Sequence, residues 1–248
     1  MDLRQSVISL EKFYATRLGT AARDMAMRRL SALWPDLAAK EVLSFGYGYH
    51  YIEPYQDQAK RLILAMPGGQ GALAHQGRRG IISCLVDEEM LPFDDAQFDH
   101  VLVVHGLEES GSLQHLLSEL WRVTKPEGRV VIIASNRAGL WARSDRSPFG
   151  AGRPFSRTQL KGLLREVGYE PVFWSGALYA PPIKFLTSPT WLRLFERFGE
   201  TVWPGFSGLI LVEAIKRLYA EPSGLKTQRV SRPVFGTAPI GNTASRNE

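Results

Sequence analysis

The chain has 248 residues, of which 44% are hydrophobic, and a formal net charge of +5 from 30 Lys and Arg against 25 Asp and Glu. This length and composition suit a single packed α/β core. One cysteine excludes disulfide bonds within the chain, and five histidines without paired spacing such as His-Glu-x-x-His give no support for zinc chemistry.

The N-terminal segment has the pattern of an amphipathic helix. Apolar side chains recur there at three- and four-residue spacing, at Tyr14, Leu18, Ala22 and Met25. This pattern predicts one or two helices from about Gln5 to Leu33 that cap the sheet and end before Pro35. Charged residues interrupt every apolar run near the start, so no targeting segment is predicted and we expect a cytoplasmic protein.

A glycine turn follows the first predicted strand. The β-prone run Glu41–Phe45 leads directly into Gly46-Tyr-Gly48, where two glycines allow positive φ and a close approach of the backbone to a ligand. Either this turn binds a ligand, or it is an ordinary strand-to-helix turn, because such turns use glycine routinely. Three large rings at positions 49–51 would either narrow the mouth of a ligand site or cover the edge of the sheet.

The second predicted strand, Arg61–Met66, ends without an acidic residue. A ribose-binding fold normally offers a carboxylate about 20 residues beyond the first glycine, but Met66 stands there. No Asp or Glu occurs between positions 58 and 86. Gln70 is a neutral candidate for binding a hydroxyl, or simply a loop residue in a glycine-rich stretch. Either a ribose is held in another way, or none is held.

Further strands and helices alternate along the rest of the chain. The predicted strands are Ile81–Val86, His100–Val104, Arg129–Ala134, Pro171–Trp174 and Gly208–Val212. The predicted helices are Leu113–Val123, a segment that begins after Ser156 and runs through Val167, and Thr190–Phe198. This alternation predicts an α/β fold with a Rossmann-like, seven-stranded, mostly parallel sheet, helices on both faces and the N-terminal helical cap.

Three runs in the middle of the chain carry a family resemblance. They are Asp87-x-x-x-Leu-Pro-Phe93, the pair Phe98-Asp99 that leads into a strand, and the run from Glu119 to Ile132. Together they resemble the class I S-adenosylmethionine-dependent methyltransferases, in particular the type 11 small-molecule branch. The resemblance spans residues 42–169, and the bulky residues after Gly48 depart from the small ones usual in that family.

The resemblance implies S-adenosylmethionine as the cofactor. Gly46 and Gly48 match the turn against its methionine part, and Asp87 with the adjacent Glu88 matches the contact to its adenine. Met66 occupies the place of the acid that binds the ribose. Losing that charge-assisted hydrogen bond weakens binding by roughly 1.5–3 kcal/mol, about ten- to a hundredfold, without forbidding it.

His105 is the catalytic candidate. In the resembled family the end of the strand that precedes it faces the transferred group, and Glu108 follows close by. A sulfonium cofactor is already activated, so the protein needs only to position the acceptor and to remove one proton. The other interpretation of His105 is a residue that only terminates a strand.

A long loop after Ala134 is rich in arginine and aromatic residues. Its arginines are Arg137, Arg143, Arg146, Arg153 and Arg157, and its large rings are Trp141, Phe149 and Phe155. Loops at this end of a parallel sheet line the ligand crevice. We expect Arg143 or Arg146 to bind an anionic group of the substrate beside Trp141. The alternative is a solvated loop with buried rings.

Two functions follow from the sequence. One is methyl transfer to a small-molecule acceptor, anionic or lipophilic; the other is a catalytically inactive binding or regulatory protein with the same fold and a protein partner. A nicotinamide-dependent dehydrogenase fits less well, because Tyr51 replaces the last glycine of G-x-G-x-x-G. No nucleic-acid motif or transmembrane segment is visible.

The chain is predicted to contain a single domain over residues 1–220. Its parts are a helical cap at 1–35, a cofactor-binding core at 41–175, and a substrate-side region with the closing strand at 176–220. Residues 221–248 have the composition of a disordered basic tail, because they offer little apolar surface for a core.

Overall fold

The sheet contains seven of the nine strands in the computed structural model, which describes residues 4–78, 80–144, 147–182 and 189–218. The strands are β1 (Glu41–Gly46), β2 (Arg61–Pro67), β3 (Gln76–Gly77), β4 (Gly80–Ile81), β5 (Ser83–Val86), β6 (Phe98–Val104), β7 (Thr124–Ser135), β8 (Tyr169–Ala177) and β9 (Leu209–Lys216). The sheet order is β5-β2-β1-β6-β7-β9-β8, and β3 pairs separately with β4. Arg146 and the predicted tail at 221–248 lie outside the described residues.

The strand directions agree with the predicted topology. β5, β2, β1, β6 and β7 run parallel, whereas β9 is antiparallel to both β7 and β8. The predicted mostly parallel, seven-stranded sheet is therefore confirmed. Its parallel strands all end at one edge, where the predicted ligand turn and His105 lie.

In the described part of the chain, six α-helices accompany the sheet: α1 (Val7–Tyr14), α2 (Arg17–Leu33), α3 (Tyr49–Ile52), α4 (Leu113–Val123), α5 (Arg157–Glu166) and α6 (Pro189–Val202). Apolar faces of α1 and α2 pack on one side of the sheet, and those of α4 and α5 pack on the other. β6 shows both contacts, because Leu102 and Val104 lie in the first cluster and Val101 and Val103 in the second. A strand buried on both faces is typical of a parallel sheet.

Local sequence signals set several helix ends. Ser6 and Thr16 accept backbone N–H hydrogen bonds at the starts of α1 and α2, so the predicted N-terminal helix is divided into two. Ser156 and Gln159 form the predicted capping box of α5. None of the described helices is both long and apolar enough to cross a membrane.

Pairing across the sheet extends some strands beyond the predicted bounds. β8 and β9 pair from Tyr169 opposite Lys216 to Ala177 opposite Leu209, well past the short apolar runs that predicted them. Ile81 leaves the predicted third strand and pairs with Gln76 instead. These shifts arise because partner strands supply hydrogen bonds to residues whose own side chains carry no strand signal.

Candidate functional site

The glycine turn closes the end of β1 against the end of β6. Gly46 has φ +84°, and an added Cβ would overlap the Val104 carbonyl oxygen and lie 2.9 Å from Gly106 N. At Gly48, which precedes α3, an added Cβ would overlap Ser44 Oγ. Gly46 is therefore required by the backbone packing of the protein itself, whereas at Gly48 a side chain would displace only that of Ser44.

The rings that follow this turn face α1. Tyr47 and Tyr51 are fully buried; Tyr47 donates a hydrogen bond to Glu11, and the Tyr51 hydroxyl lies 3.1 Å from that of Tyr14. Burial raises the pKa of Tyr51 to about 12, so its hydroxyl stays neutral. These tyrosines form an aromatic layer between the sheet and α1.

The end of β2 presents no acid. Met66 is fully buried on the side of the sheet that α1 and α2 cover. Gln70, in the turn after β2, is also buried: its Nε2 donates to the His105 carbonyl oxygen at 2.9 Å, while its backbone oxygen accepts from Val7 N at 2.8 Å. Gln70 Oε1 is buried without a hydrogen-bond partner among the described residues. Gln70 thus joins the ends of β2 and β6 beneath α1.

An open groove of about 470 Å³ lies at the ends of β2 and β5. Its lining comprises Arg4, Pro67–Gly69 and Leu85–Glu88, so the predicted cofactor contacts Asp87 and Glu88 both border it. Glu88 is already engaged: Oε2 forms a 2.6 Å ion pair with Arg4, and Oε1 accepts from Gly111 N at 2.8 Å. Arg4 also donates to the Glu109 carbonyl oxygen. These bonds attach the N-terminal segment to the wall of the groove.

His105 lies at the end of β6 in a constrained position. Its φ is +51°, unusual for a residue with a side chain, and its Nε2 forms a 2.8 Å hydrogen bond with the Tyr14 hydroxyl. Its ring stacks on Phe149, with centroids 4.9 Å apart and an interplanar angle of 28°. Burial lowers the pKa of His105 to about 3, so the imidazole is neutral near pH 7.

Glu108 borders the same space as His105. Its side chain is buried, and Oε1 accepts from Ser135 N at 2.9 Å, whereas Oε2 has no hydrogen-bond partner within the described part of the chain. Burial raises the pKa of Glu108 above its ordinary value. A cavity of about 10 Å³ lies between Gln5, His105, Glu108, Glu109, Pro148 and Ala151. That volume holds about one water molecule.

The predicted substrate residues occupy different environments. Trp141 is fully buried, donates to the Ala180 carbonyl oxygen at 2.7 Å, and contacts Phe149 edge to face. Arg143 is exposed at the end of a short 3₁₀ turn, Trp141–Arg143. Trp141 thus contacts Phe149, the ring on which His105 stacks, whereas Arg143 lies on the surface.

Sequence reasoning missed several members of the site. Arg4, the hydroxyl of Tyr14 and the ring of Phe149 all reach the groove or His105 through tertiary contacts. Tyr14 belonged to the helical stripe that was predicted to cap the sheet, and its spacing gave no indication of a hydrogen bond to His105. Phe149 was among the loop rings that the sequence places at the ligand crevice, but its stacking on His105 was not predicted.

The groove suits the nucleoside end of S-adenosylmethionine. It lies where β2 and β5 end, beside Asp87. The ends of parallel strands are where such folds bind nucleotides. A larger open depression of about 920 Å³ borders the starts of β1 and β2, away from His105 and Glu108. Pro67–Gly69, Asp87 and Glu88 line the groove itself.

Comparisons with known proteins place part of this sheet in a family. A family profile described as "Methyltransferase domain", type 11, matches residues 65–132. Human mitochondrial 2-methoxy-6-polyprenyl-1,4-benzoquinol methylase is 39% identical over 66 residues, 27% of this chain and 20% of that protein. The 27-O-demethylrifamycin SV methyltransferase of Amycolatopsis mediterranei is 30% identical over 119 residues, 45% of this chain and 42% of that protein. The chain thus matches less than half the length of these relatives.

Solved structures extend the likeness to nearly the whole fold. A Thermotoga maritima S-adenosylmethionine-dependent methyltransferase, described as a possible histamine N-methyltransferase, has a TM-score of 0.61 at 17% identity and covers 85% of this chain and 96% of its own. An Archaeoglobus fulgidus S-adenosylmethionine-dependent methyltransferase has a TM-score of 0.56 at 18% identity, covering 84% and 98%. Residues 65–132 therefore match the type 11 methyltransferase profile, and the sheet as a whole has the same fold as these solved S-adenosylmethionine-dependent methyltransferases.

Proposed function

We propose that the chain transfers the methyl group of S-adenosylmethionine to a small-molecule acceptor. The observation that carries this proposal is the position of His105 and Glu108 at the end of β6, beside the groove formed by the ends of β2 and β5. Gln70 links the two places directly through its hydrogen bond to the His105 carbonyl oxygen. The groove proposed for the cofactor thus lies next to the residues proposed to face the acceptor.

The cofactor, when bound, supplies an activated methyl group, and the residues of the chain orient the acceptor. His105 is held by Tyr14 on its edge and by Phe149 on its face, so its ring has a fixed orientation. A neutral, fixed imidazole offers a hydrogen bond and a flat surface to an acceptor. Its role in catalysis is therefore chiefly to position the acceptor.

The acceptor proposed here is a lipophilic molecule with an aromatic ring. Relatives of the matched segment are named for a polyprenyl benzoquinol and for demethylrifamycin SV. In this chain, Phe13, Tyr14, Trp141 and Phe149 provide apolar rings around His105. Arg143 and Arg146 remain the proposed contacts for an acceptor that also carries an anionic group.

Calorimetry with S-adenosylmethionine and with S-adenosylhomocysteine tests the cofactor assignment. We expect the wild type to bind both more tightly than about 1 mM. Met66→Asp should bind both ligands at least about tenfold more tightly than the wild type, because it restores a carboxylate at the end of β2. Met66→Asn is the matched uncharged control. Since Met66 is fully buried, thermal unfolding of both variants must first show that they are folded.

Replacing His105 by glutamine tests the acceptor side. We expect a loss of turnover of about tenfold or more, because the variant loses the ring that stacks on Phe149 and misplaces the acceptor. Affinity for S-adenosylhomocysteine should change less than about twofold. His115→Gln, an exposed position on α4, is the control. Full turnover by His105→Gln would show that His105 does not position the acceptor.

A second function is favoured by two observations. Met66 is buried without an acid nearby in sequence, and the cavity beside His105 holds only about one water molecule. A protein that keeps the fold but binds no cofactor would show these features and act as a binding or regulatory partner. No measurable binding of S-adenosylhomocysteine to the folded wild type would favour this function over methyl transfer.

A further inference from the structure

The carboxyl group of Glu108 is only half used by the fold. Oε1 accepts the Ser135 backbone N–H at the end of β7, at 2.9 Å. Oε2 is buried, and the described residues offer it no hydrogen bond. A buried polar atom without a partner is destabilising, and such atoms in native proteins commonly serve a ligand or a reaction. The second oxygen of Glu108 therefore needs a functional explanation.

Glu108 lines the small cavity that His105 also lines. The cavity adjoins the end of β6, and its other walls include Gln5 from the N-terminal segment and Pro148 and Ala151 from the loop after β7. With room for about one water molecule, it admits a hydroxyl group rather than a whole ring in this closed arrangement. A hydroxyl entering it would meet both a carboxylate and an imidazole.

The groups around Glu108 leave its carboxylate free to accept a proton. Those near it are Tyr14 from α1, His105 and Glu109 from its own loop, and Ser135 at the end of β7, while the Arg153 backbone N–H bonds to the Glu108 carbonyl oxygen. The Arg4 guanidinium bonds to Glu88 and to the Glu109 carbonyl oxygen, and that of Arg153 donates to the Ser110 carbonyl oxygen. Within the described residues, neither guanidinium forms an ion pair with Glu108 itself.

Protonation equilibria favour Glu108 over His105 as the base. Burial raises the pKa of Glu108, while hydrogen bonds from the backbone and side chain of Ser135 and from the backbone N–H of Glu108 itself act in the opposite direction. Burial lowers the pKa of His105 to about 3. A base works best when its pKa is near the working pH, so the carboxylate is the better matched of the two.

We propose that Glu108 Oε2 accepts the proton of a hydroxyl group on the methyl acceptor, a role that rests on the proposed methyltransferase function. The acceptor's O–H bond breaks and its proton adds to Oε2. The electron pair left on the acceptor oxygen forms the bond to the methyl carbon. The bond from that carbon to the cofactor sulfur breaks, and the sulfur keeps its electron pair. His105, fixed by Tyr14 and Phe149, positions the acceptor for this step.

Proton release on binding tests the role without turnover. Hydroquinone is titrated calorimetrically into protein saturated with S-adenosylhomocysteine, at about pH 6 in buffers of different ionisation enthalpy. The phenolic O–H bonds to ionised Glu108, which favours the charged form, so the wild type should release a fraction of a proton per molecule bound. Glu108→Gln keeps an oxygen for Ser135 N and should release none. Glu89→Gln, an exposed carboxyl, should behave as the wild type.

Methylation of hydroquinone gives the second measurement. Glu108→Gln should lower kcat by about 10²- to 10⁴-fold and remove the rise of kcat with pH that reports ionisation of the base. Its affinity for S-adenosylhomocysteine should stay within about twofold of wild type.

Each failure has a different meaning. Absence of S-adenosylhomocysteine binding would overturn the proposed function. Normal S-adenosylhomocysteine binding without proton release or methylation of hydroquinone by the wild type would overturn only the role of Glu108, as would an unchanged kcat in Glu108→Gln. The wild-type proton release decides the question if the variant does not fold.

Discussion

Replacing Gly46 by alanine is expected to destabilise the fold by about 3 kcal/mol or more. Gly46 has φ +84°, where an alanine side chain is strained, and its Cβ would overlap the Val104 carbonyl oxygen. The ends of β1 and β6 would have to separate to make room. This loss is a large share of the 5–15 kcal/mol by which domains are typically stable. Urea denaturation of wild type and variant measures it.

Gly162 provides the matched control for this substitution. It lies on the exposed face of α5, and an added Cβ would meet nothing within 4 Å. Gly162→Ala should therefore stabilise the protein by about 0.5–1 kcal/mol, because alanine loses less conformational freedom in a helix. A Gly46→Ala variant as stable as the wild type would show that β1 and β6 can separate at this point without loss.

Acidification from pH 6.5 to 5 is expected to destabilise the protein by up to about 4 kcal/mol through two histidines. Burial lowers the pKa of His100 to about 4 and that of His105 to about 3. Between these values and the unfolded pKa near 6.5, the unfolded chain binds more protons than the folded one. Stability is therefore present above pH 6.5 and falls as the pH drops, by up to about 1.4 kcal/mol per unit for each histidine.

Variants separate this effect from those of the carboxyl groups. The raised pKa of Glu108 acts in the opposite sense, because protonation of that group favours the folded state as the pH falls. The free energy of unfolding, obtained from denaturation at several pH values, should fall with decreasing pH about half as steeply in His105→Gln as in the wild type. His115→Gln, exposed on α4, should keep the wild-type slope. Equal slopes in wild type and His105→Gln would contradict burial of a neutral imidazole.

Local patterns predicted most of the fold. The helix Leu113–Val123 has the bounds that its apolar spacing predicted, and the Ser156 capping box starts α5 as expected. These elements depend on residues close together in sequence. The start of β7 at Thr124 was not predicted, because it depends on pairing with Phe98 across the sheet.

The site was less predictable than the fold, because its contacts join distant parts of the chain. The ion pair between Arg4 and Glu88 spans 84 positions, and the hydrogen bond between Tyr14 and His105 spans 91. Periodicity and motif spacing carry no information about such pairs. The missing acid at Met66 was visible in the sequence, whereas the buried link from Gln70 to His105 needed the three-dimensional structure.

One short segment performs two tasks at this site. Arg4 fastens it to Glu88 at the groove, and ten residues later Tyr14 holds the imidazole of His105. Release of the segment would free the groove and, in the same movement, leave the imidazole without its hydrogen bond. Movement of this one segment would therefore change access to the groove and the orientation of the imidazole together.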